Sequence, residues 1–128
     1  MYKKLGVWFL IGLFAVGSLG FPPDGVTKRI RFAKGKSSAT VSGAVIRGDR
    51  DTYILGARGG QSMSVRIVSP ENNAVFQIEN PHGEYLEGVG EGDDARDATI
   101  VLDDSGDYRI IVGGTRGNAT YKLTVSIR

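Results

Sequence analysis

The densest cluster of side chains that could bind a metal ion or act in catalysis lies between residues 87 and 97. The segment reads EGVGEGDDARD and contains Glu91, Asp93, Asp94 and Asp97. Ca²⁺ takes about six to eight oxygen ligands, but the spacing does not match the Asp-x-Asp-x-Asp-Gly calcium loop. Glycoside hydrolysis requires two carboxyl groups on rigid, facing elements, and nothing in this Gly-rich segment indicates burial. The segment is predicted to be a solvated surface loop, with calcium binding as the alternative.

Other catalytic chemistry lacks the residues that it needs. The chain contains no cysteine and a single histidine, His82, which excludes thiol nucleophiles, Cys-based metal sites and His-rich zinc sites. No Gly-x-Ser-x-Gly sequence accompanies His82, so a serine hydrolase is not indicated. The sequence therefore predicts no catalytic residue, no metal site and no cofactor, and the protein is not expected to be an enzyme.

The segment Asp104-Ser105-Gly106-Asp107-Tyr108 admits two interpretations. In the structural one, Asp, Ser and Gly form a turn, and Tyr108 begins the inward-facing positions of a strand. A tyrosine at the start of a sandwich strand often packs its ring and hydrogen-bonds a nearby backbone group. The functional one rests only on the family resemblance described below. The residues alone favour the structural interpretation.

Short runs of alternating apolar and polar residues, separated by Gly, Asn, Asp and Pro, fill the chain after residue 25. This pattern predicts β-strands joined by turns; Val41 and Val45, for example, alternate with Thr40 and Ser42. The fold class is predicted as all-β, an antiparallel β-sandwich of about eight strands. The predicted strands lie within residues 26–33, 39–45, 53–57, 63–67, 74–79, 100–102, 108–112 and 121–127, with a short additional segment at 85–86.

The first twenty residues are predicted to be a signal peptide. Lys3 and Lys4 precede an uncharged apolar run at 5–16, and Ser18 and Gly20 place small side chains at positions −3 and −1 of a cleavage site. The apolar run is short for a membrane span, which takes about 20 apolar residues. Cleavage leaves a single domain, residues 21–128, that is periplasmic or secreted and has no membrane partner. An uncleaved anchor is the alternative.

Removal of the signal peptide changes the charge balance. The whole chain has 16 basic and 14 acidic side chains, but without Lys3 and Lys4 the two signs are equal. Nucleic acid is therefore not an expected partner. The charges are nevertheless segregated, since residues 24–66 are mostly basic and residues 67–107 mostly acidic. Such a separation can steer a charged partner, but oppositely charged neighbouring strands produce it as well, and this is the favoured interpretation.

Several segments resemble two related groups of exported bacterial β-sandwiches. Residues 48–53 (GDRDTY) and 57–61 (ARGGQ) are similar to a Gly-Asp…Asp-x-Tyr and Ala-x-x-Gly-Gln hairpin of pre-peptidase C-terminal-like domains. Residues 31–39 (RFAKGKSSA) are more similar to the periplasmic inhibitors of invertebrate-type and goose-type lysozyme. These inhibitors also carry a Ser-Gly, one or two residues, Tyr motif, which is Ser-Gly-Asp-Tyr at 105–108 in this chain. The resemblance covers most of residues 29–127, and the loop at 87–97 has no counterpart in it.

The resemblance implies that the protein inhibits a lysozyme of the g-type or i-type. A turn would enter the glycan cleft, with Ser105, Gly106 and Tyr108 at the contact and both hydroxyl groups near the catalytic carboxylate of the lysozyme. Arg116, on what is expected to be a neighbouring loop, would add a charge-assisted hydrogen bond to acidic cleft residues. Lysozyme would be the protein partner, and homodimer formation stays open. The alternative is a non-catalytic module of pre-peptidase C-terminal type that binds cell-wall glycan or another exported protein.

Overall fold

A computed structural model describes residues 25–128, and the predicted signal peptide lies outside this range. Within it the chain forms eight β-strands and no helix, as the alternating sequence predicts. No helix in this range is therefore long and apolar enough to cross a membrane. The strands are β1 (Thr27–Arg29), β2 (Ser38–Val45), β3 (Asp51–Ala57), β4 (Ser62–Val68), β5 (Ala74–Glu79), β6 (Asp97–Val101), β7 (Gly106–Gly114) and β8 (Ala119–Ile127).

The strands form two four-stranded sheets, which confirms the predicted sandwich. One sheet has the order β1-β3-β7-β5 and the other the order β2-β8-β4-β6. Every pair is antiparallel except β1 and β3, which run parallel with Thr27 opposite Thr52. The parallel pair was not predicted, because the alternation of residues along a strand carries no information about the direction of its neighbour.

The core lies between the two sheets and is formed by the inward residue of each alternating pair. Phe76, Ile110 and Leu123 are completely buried there. Residues on a strand point to opposite faces in turn, so each strand contributes one apolar row to the core and one row to solvent. Burial of a side chain of this size stabilises the fold by about 1.5–3 kcal/mol, which lets a chain without disulfides hold the two sheets together.

A buried carboxylate lies among the inward-facing residues. Asp51 is only 2% exposed, and its Oδ2 accepts a hydrogen bond of 2.5 Å from the hydroxyl of Tyr121. The Tyr53 and Tyr121 hydroxyls are 2.7 Å apart, and the Val26 amide donates to Asp51 Oδ1 at 2.9 Å. Asp51 therefore joins the segment that leads into β1 to tyrosines from both sheets.

Three predicted elements differ from the structure. Strand β1 covers only three residues of the predicted run at 26–33, although Ile30 is still buried. Tyr85 makes a single bridge to Glu79 rather than a strand. The acidic segment at 87–97 is only partly the solvated loop expected, because Val89 is 2% exposed and its carbonyl accepts the Ile78 amide at 2.9 Å. The chain from 80 to 96 thus covers the outer edge of β5.

Two ends of the sandwich carry the turns. At one end, the Ser105 end, lie the turns at 58–61, 80–84 and 102–105; at the other, the Arg116 end, lie those at 46–50, 69–73 and 115–118. Strand β7 runs from the first end to the second and contains nine residues. At about 3.3 Å per residue, the two ends of β7 are about 26 Å apart.

Candidate functional site

The turn between β6 and β7, which we call the Ser105 turn (residues 102–106), rests on the β3–β4 turn. Leu102 is 1% exposed and anchors the segment in the core. Its carbonyl accepts the Gly60 amide at 2.7 Å, and its amide donates to the Gln61 carbonyl at 2.8 Å. Two of the sequence segments that carry the family resemblance, 57–61 and 105–108, therefore meet at the same end of the sandwich.

Ser105 is exposed on this turn and is held by one hydrogen bond. Its Oγ accepts the Gly59 amide at 2.9 Å. A side chain at Gly59 would bring a Cβ within 2.6 Å of the Asp103 carbonyl oxygen, so only glycine allows this approach. Within residues 25–128 the Ser105 hydroxyl donates to no acceptor, which leaves its hydrogen available to a partner.

Tyr108 is the first buried residue of β7 and has no solvent exposure. Its hydroxyl donates to the Asp104 carbonyl at 2.6 Å and accepts the Asp104 amide at 3.3 Å. Burial raises the pKa of this hydroxyl. The structural interpretation of Tyr108 is confirmed, because the ring is packed and the hydroxyl ties the turn to the strand. Contact between this hydroxyl and a lysozyme carboxylate would require the turn to open.

Gly106 is required by both its backbone conformation and its surroundings. Its φ is 142°, a value that side-chain-bearing residues rarely adopt. A Cβ at this position would lie 3.0 Å from Pro81 on the β5–β6 connection. Nearby, the His82 Nε2 lies 3.8 Å from an Asp104 carboxylate oxygen. The Ser105 turn is thus confined on one side by the β3–β4 turn and on the other by the segment at Pro81.

The charge next to the turn is partly neutralised by an exposed ion pair. Both guanidinium nitrogens of Arg29 on β1 donate to the Asp107 carboxylate, at 3.1 and 2.6 Å. The hydrogen bond from Arg29 lowers the pKa of Asp107, and the same bond raises the pKa of Arg29. Asp103 remains as an exposed carboxylate on the turn. The exposed Arg58 adjoins Gly59, so the surface around Ser105 carries side chains of both charges.

Arg116 does not lie beside the Ser105 turn, and the prediction of a neighbouring loop was wrong. The β7–β8 connection is at the Arg116 end, about 26 Å from Ser105 by the length of β7. There the Arg116 guanidinium donates to the Glu71 carbonyl at 2.9 Å, and Asn73 donates to the Arg116 carbonyl at 3.0 Å. The error arose because the nine-residue strand β7 separates the turn before it from the connection after it, so Ser105 and Arg116 lie at opposite ends of that strand.

The acidic residues at 87–97 are dispersed along the edge of β5. Asp93 Oδ2 accepts the Gly90 amide at 2.8 Å, whereas Glu91 approaches Arg50 at 4.0 Å. Within residues 25–128 no three His, Cys, Asp or Glu side chains are grouped so that they could hold a metal ion. The acidic segment therefore lies away from the Ser105 turn and extends toward the Arg116 end.

Comparison with solved structures relates this fold to inhibitors of lysozyme. The chain is 30% identical to the PliG of Aeromonas hydrophila, a periplasmic lysozyme inhibitor of g-type lysozyme, with a TM-score of 0.69 over 82% of this chain and 99% of that one. The chain belongs to the PliG family of periplasmic lysozyme inhibitors. Salmonella Typhimurium PliG is 26% identical, with a TM-score of 0.65 over 81% of this chain and 99% of that one.

The second expected resemblance, to pre-peptidase C-terminal-like domains, is seen at the level of the fold. The pre-peptidase C-terminal domain of a Bacillus anthracis collagenase has a TM-score of 0.58 and 19% identity over 80% of this chain and 94% of that one. No protein-family model and no curated protein sequence matches the chain. The collagenase module therefore shares the sandwich fold with this chain and with PliG.

Sequence reasoning missed the partners that hold the turn. The Gly59 amide, Pro81 and Arg29 come from three different connections or strands, and no spacing rule relates them to Ser105. One signal was available for the Asp51 cluster, since the alternation places Asp51 in phase with Tyr53 and therefore on the inward face. An acidic residue at an inward position is a sign of a buried, hydrogen-bonded carboxylate.

Proposed function

We propose that this protein inhibits a lysozyme of the g-type by placing the Ser105 turn in the glycan-binding cleft. The observation that carries the proposal is the similarity to Aeromonas hydrophila PliG over 99% of that chain. A second line of support is the shape of the turn, which is exposed at Ser105 and fixed from below at Gly59 and Tyr108. The i-type lysozymes form the second target class to be tested.

The contact is made by Ser105 and the backbone of Gly106, while Tyr108 acts from inside the turn. The Ser105 hydroxyl is free to donate to a carboxylate, and a hydrogen bond to a charged group contributes about 1.5–3 kcal/mol. Nanomolar affinity needs about 12 kcal/mol, so one hydroxyl is not sufficient. The surrounding turns have to bury an interface of about 1,200–2,000 Å².

The charge around the turn restricts how the lysozyme approaches. Asp103 and Asp104 directly precede Ser105, and the exposed Arg58 lies on the adjoining turn. A catalytic carboxylate is therefore accepted best where basic residues of the lysozyme lie opposite the two acids. Asp107 adds little repulsion because Arg29 is paired with it. The proposal therefore requires a target whose cleft is acidic at its centre and basic at its rim. The acidic segment at 87–97 lies outside this contact or touches the basic rim.

Export follows from the same proposal. The predicted signal peptide at 1–20 would deliver the domain to the periplasm, where a lysozyme reaches the cell wall. In this account the protein has no catalytic residue, and its effect is to exclude the glycan from the cleft. The competing function, binding of cell-wall glycan, is tested by sedimentation of the protein with insoluble peptidoglycan, which should leave it in the supernatant.

The direct test is clearing of a peptidoglycan suspension by goose-type, invertebrate-type and chicken-type lysozymes in the presence of the purified protein. We expect inhibition of the goose-type enzyme at submicromolar concentration and weaker or no inhibition of the others. Absence of inhibition of all three enzymes at micromolar concentration would refute the proposal.

Variants at Ser105 locate the contact. Ser105→Ala should raise the inhibition constant about 10- to 100-fold, the equivalent of one hydrogen bond to a charged group. Ser105→Asp keeps an acceptor for the Gly59 amide but repels a carboxylate, so its loss should be larger. Arg116→Ala, at the opposite end of the sandwich, is the matched control and should leave inhibition unchanged. A loss with Arg116→Ala and none with the Ser105 variants would place the contact at the Arg116 end.

A further inference from the structure

The four edge strands of the sandwich differ in how they are protected from pairing with another chain. Strand β1 has three residues, two of them charged, and β6 has five and begins at Asp97. The edge of β5 is covered by the segment at 80–96. Short length, charge and covering segments are the usual protection of edges. Strand β2 has none of them, since its eight residues, SATVSGAV, contain no charge and no proline.

The free backbone groups of β2 can be assigned from its pairing with β8. The Ile127 amide donates to the Ser37 carbonyl, and Ser38 lies opposite Ser126. Bonded pairs alternate in an antiparallel ladder, so Ala39, Val41, Gly43 and Val45 bond to β8. The amide and carbonyl groups of the four exposed residues between them point away from β8, and none of them has a partner within residues 25–128. These residues are Ser38, Thr40, Ser42 and Ala44.

We infer that β2 is an interaction surface for a second copy of this chain. Two antiparallel β2 strands related by a two-fold axis at Val41 place Ser38 opposite Ala44 and Thr40 opposite Ser42. This register uses all four pairs of free groups and forms eight hydrogen bonds, which is within the range of about 10 ± 5 seen in protein interfaces. It also keeps the exposed residues of both strands on the same face, because every pair joins even-numbered positions. The two copies form one continuous eight-stranded sheet.

The same register gives an exposed apolar residue a place to bind. Ile46 follows β2 directly and is 63% exposed. Continuing the pairing by one residue brings Ile46 of one copy opposite Lys36 of the other. Lys36 lies on the rim of a hollow of about 390 Å³ that Phe32 and Ile127 line together with the polar side chains of Arg58 and Gln61. The same contact is made twice, once by the Ile46 of each copy, as a two-fold interface requires.

Sedimentation velocity over a range of protein concentrations tests the dimer. The protein should sediment with twice the mass of one chain at about 100 µM, a concentration that populates even a micromolar dimer. Ser42→Pro removes a backbone N–H that no strand of the same chain uses, which an edge strand tolerates. This variant should sediment as a monomer, whereas Ser42→Ala, which retains the N–H, should remain a dimer. At a low concentration, where the parent protein is also monomeric, the Tm of Ser42→Pro should equal that of the parent. A monomeric parent protein, or a dimeric Ser42→Pro variant, overturns the inference.

Disulfide trapping tests the register. The chain has no cysteine of its own, so an introduced cysteine can pair only with another introduced cysteine. Residues opposite each other in a bonded pair have Cα atoms about 5.5 Å apart, within disulfide range. A mixture of Thr40→Cys and Ser42→Cys proteins should form a covalent dimer on oxidation, and each variant alone should form much less. A covalent dimer with Thr40→Cys alone would overturn the axis at Val41. Neither measurement uses lysozyme, so its outcome is independent of the proposed inhibition.

Discussion

Replacement of Tyr121 by phenylalanine removes one hydroxyl group from the buried cluster around Asp51. The Tyr121 hydroxyl donates its only hydrogen to Asp51 Oδ2, so in the 2.7 Å contact with Tyr53 it accepts and the Tyr53 hydroxyl donates. Burial is the first cause of the raised pKa of Tyr121, and its hydrogen bond to Asp51 is the second. The substitution leaves the aromatic ring in place and adds no cavity at the ring itself.

The magnitude follows from the two hydrogen bonds that are lost. A bond to a charged group contributes about 1.5–3 kcal/mol and a neutral one about 0.5–1.5 kcal/mol. Tyr121→Phe should therefore lower the free energy of unfolding by about 2–4 kcal/mol. For a domain of about 100 residues, each kcal/mol shifts Tm by about 4–8 °C. The expected decrease in Tm is roughly 10–25 °C, enough to unfold a marginally stable protein near physiological temperature.

Tyr108→Phe is the matched control, because it removes the same group from a different environment. The Tyr108 hydroxyl bonds only to the backbone of Asp104, so no charged partner is left without a donor. The expected loss is about 1–2 kcal/mol, because two neutral hydrogen bonds are lost and the one at 3.3 Å is long. Both variants would be measured by urea unfolding at neutral pH, followed by circular dichroism and tyrosine fluorescence. A Tyr121→Phe variant as stable as Tyr108→Phe would refute the reasoning, because Asp51 would then not depend on the tyrosine.

Three further outcomes are expected. Gly106→Ala should lower Tm and weaken lysozyme inhibition together, because its φ and its contact with Pro81 both exclude a Cβ; wild-type inhibition would contradict this. Urea unfolding between about pH 8 and pH 11 should show the free energy of unfolding decreasing above about pH 10. Burial raises the pKa of Tyr53, Tyr108 and Tyr121 in the folded protein, so the unfolded chain loses these protons first. A free energy that does not change with pH would contradict this. Calcium or a chelator should not shift Tm, because the carboxylates of residues 91–97 have different neighbours and are not grouped around one point.

The fold was predictable because its elements follow from local patterns. Alternation placed Tyr53, Phe76 and Leu123 on inward faces, and Gly, Asn and Pro clusters marked the turns between the strands. What could not be predicted was how strands far apart in sequence combine. The parallel pairing of β1 with β3, and the assignment of β7 and β8 to different sheets, depend on the packing of the whole chain rather than on any local signal.

The site was predicted in part, and there is a physical reason why some of its residues were found and others were missed. The turn at 105–108 and the packed ring of Tyr108 follow from turn chemistry and strand phase. The predicted position of Arg116 was wrong, because the strand predicted at 108–112 already separates the turn before it from the connection after it. The contacts of the Gly59 amide and of Pro81 with the turn were not predicted. Every residue except proline has a backbone amide, and prolines occur in many turns, so neither residue type indicates that it supports another turn.

The placement of the tyrosine hydroxyls explains how a small domain without disulfides can present a rigid turn. A turn that is ordered before binding loses less entropy when a partner takes it up. In this sandwich the Tyr108 hydroxyl and the Gly59 amide are used inside the turn, which leaves only the short side chain of Ser105 and backbone groups at its tip. A cleft that fits a glycan chain can take up such a narrow tip, whereas an exposed tyrosine would widen it. The free β2 edge runs along the side of the sandwich, so pairing through β2 leaves both Ser105 turns of a dimer open.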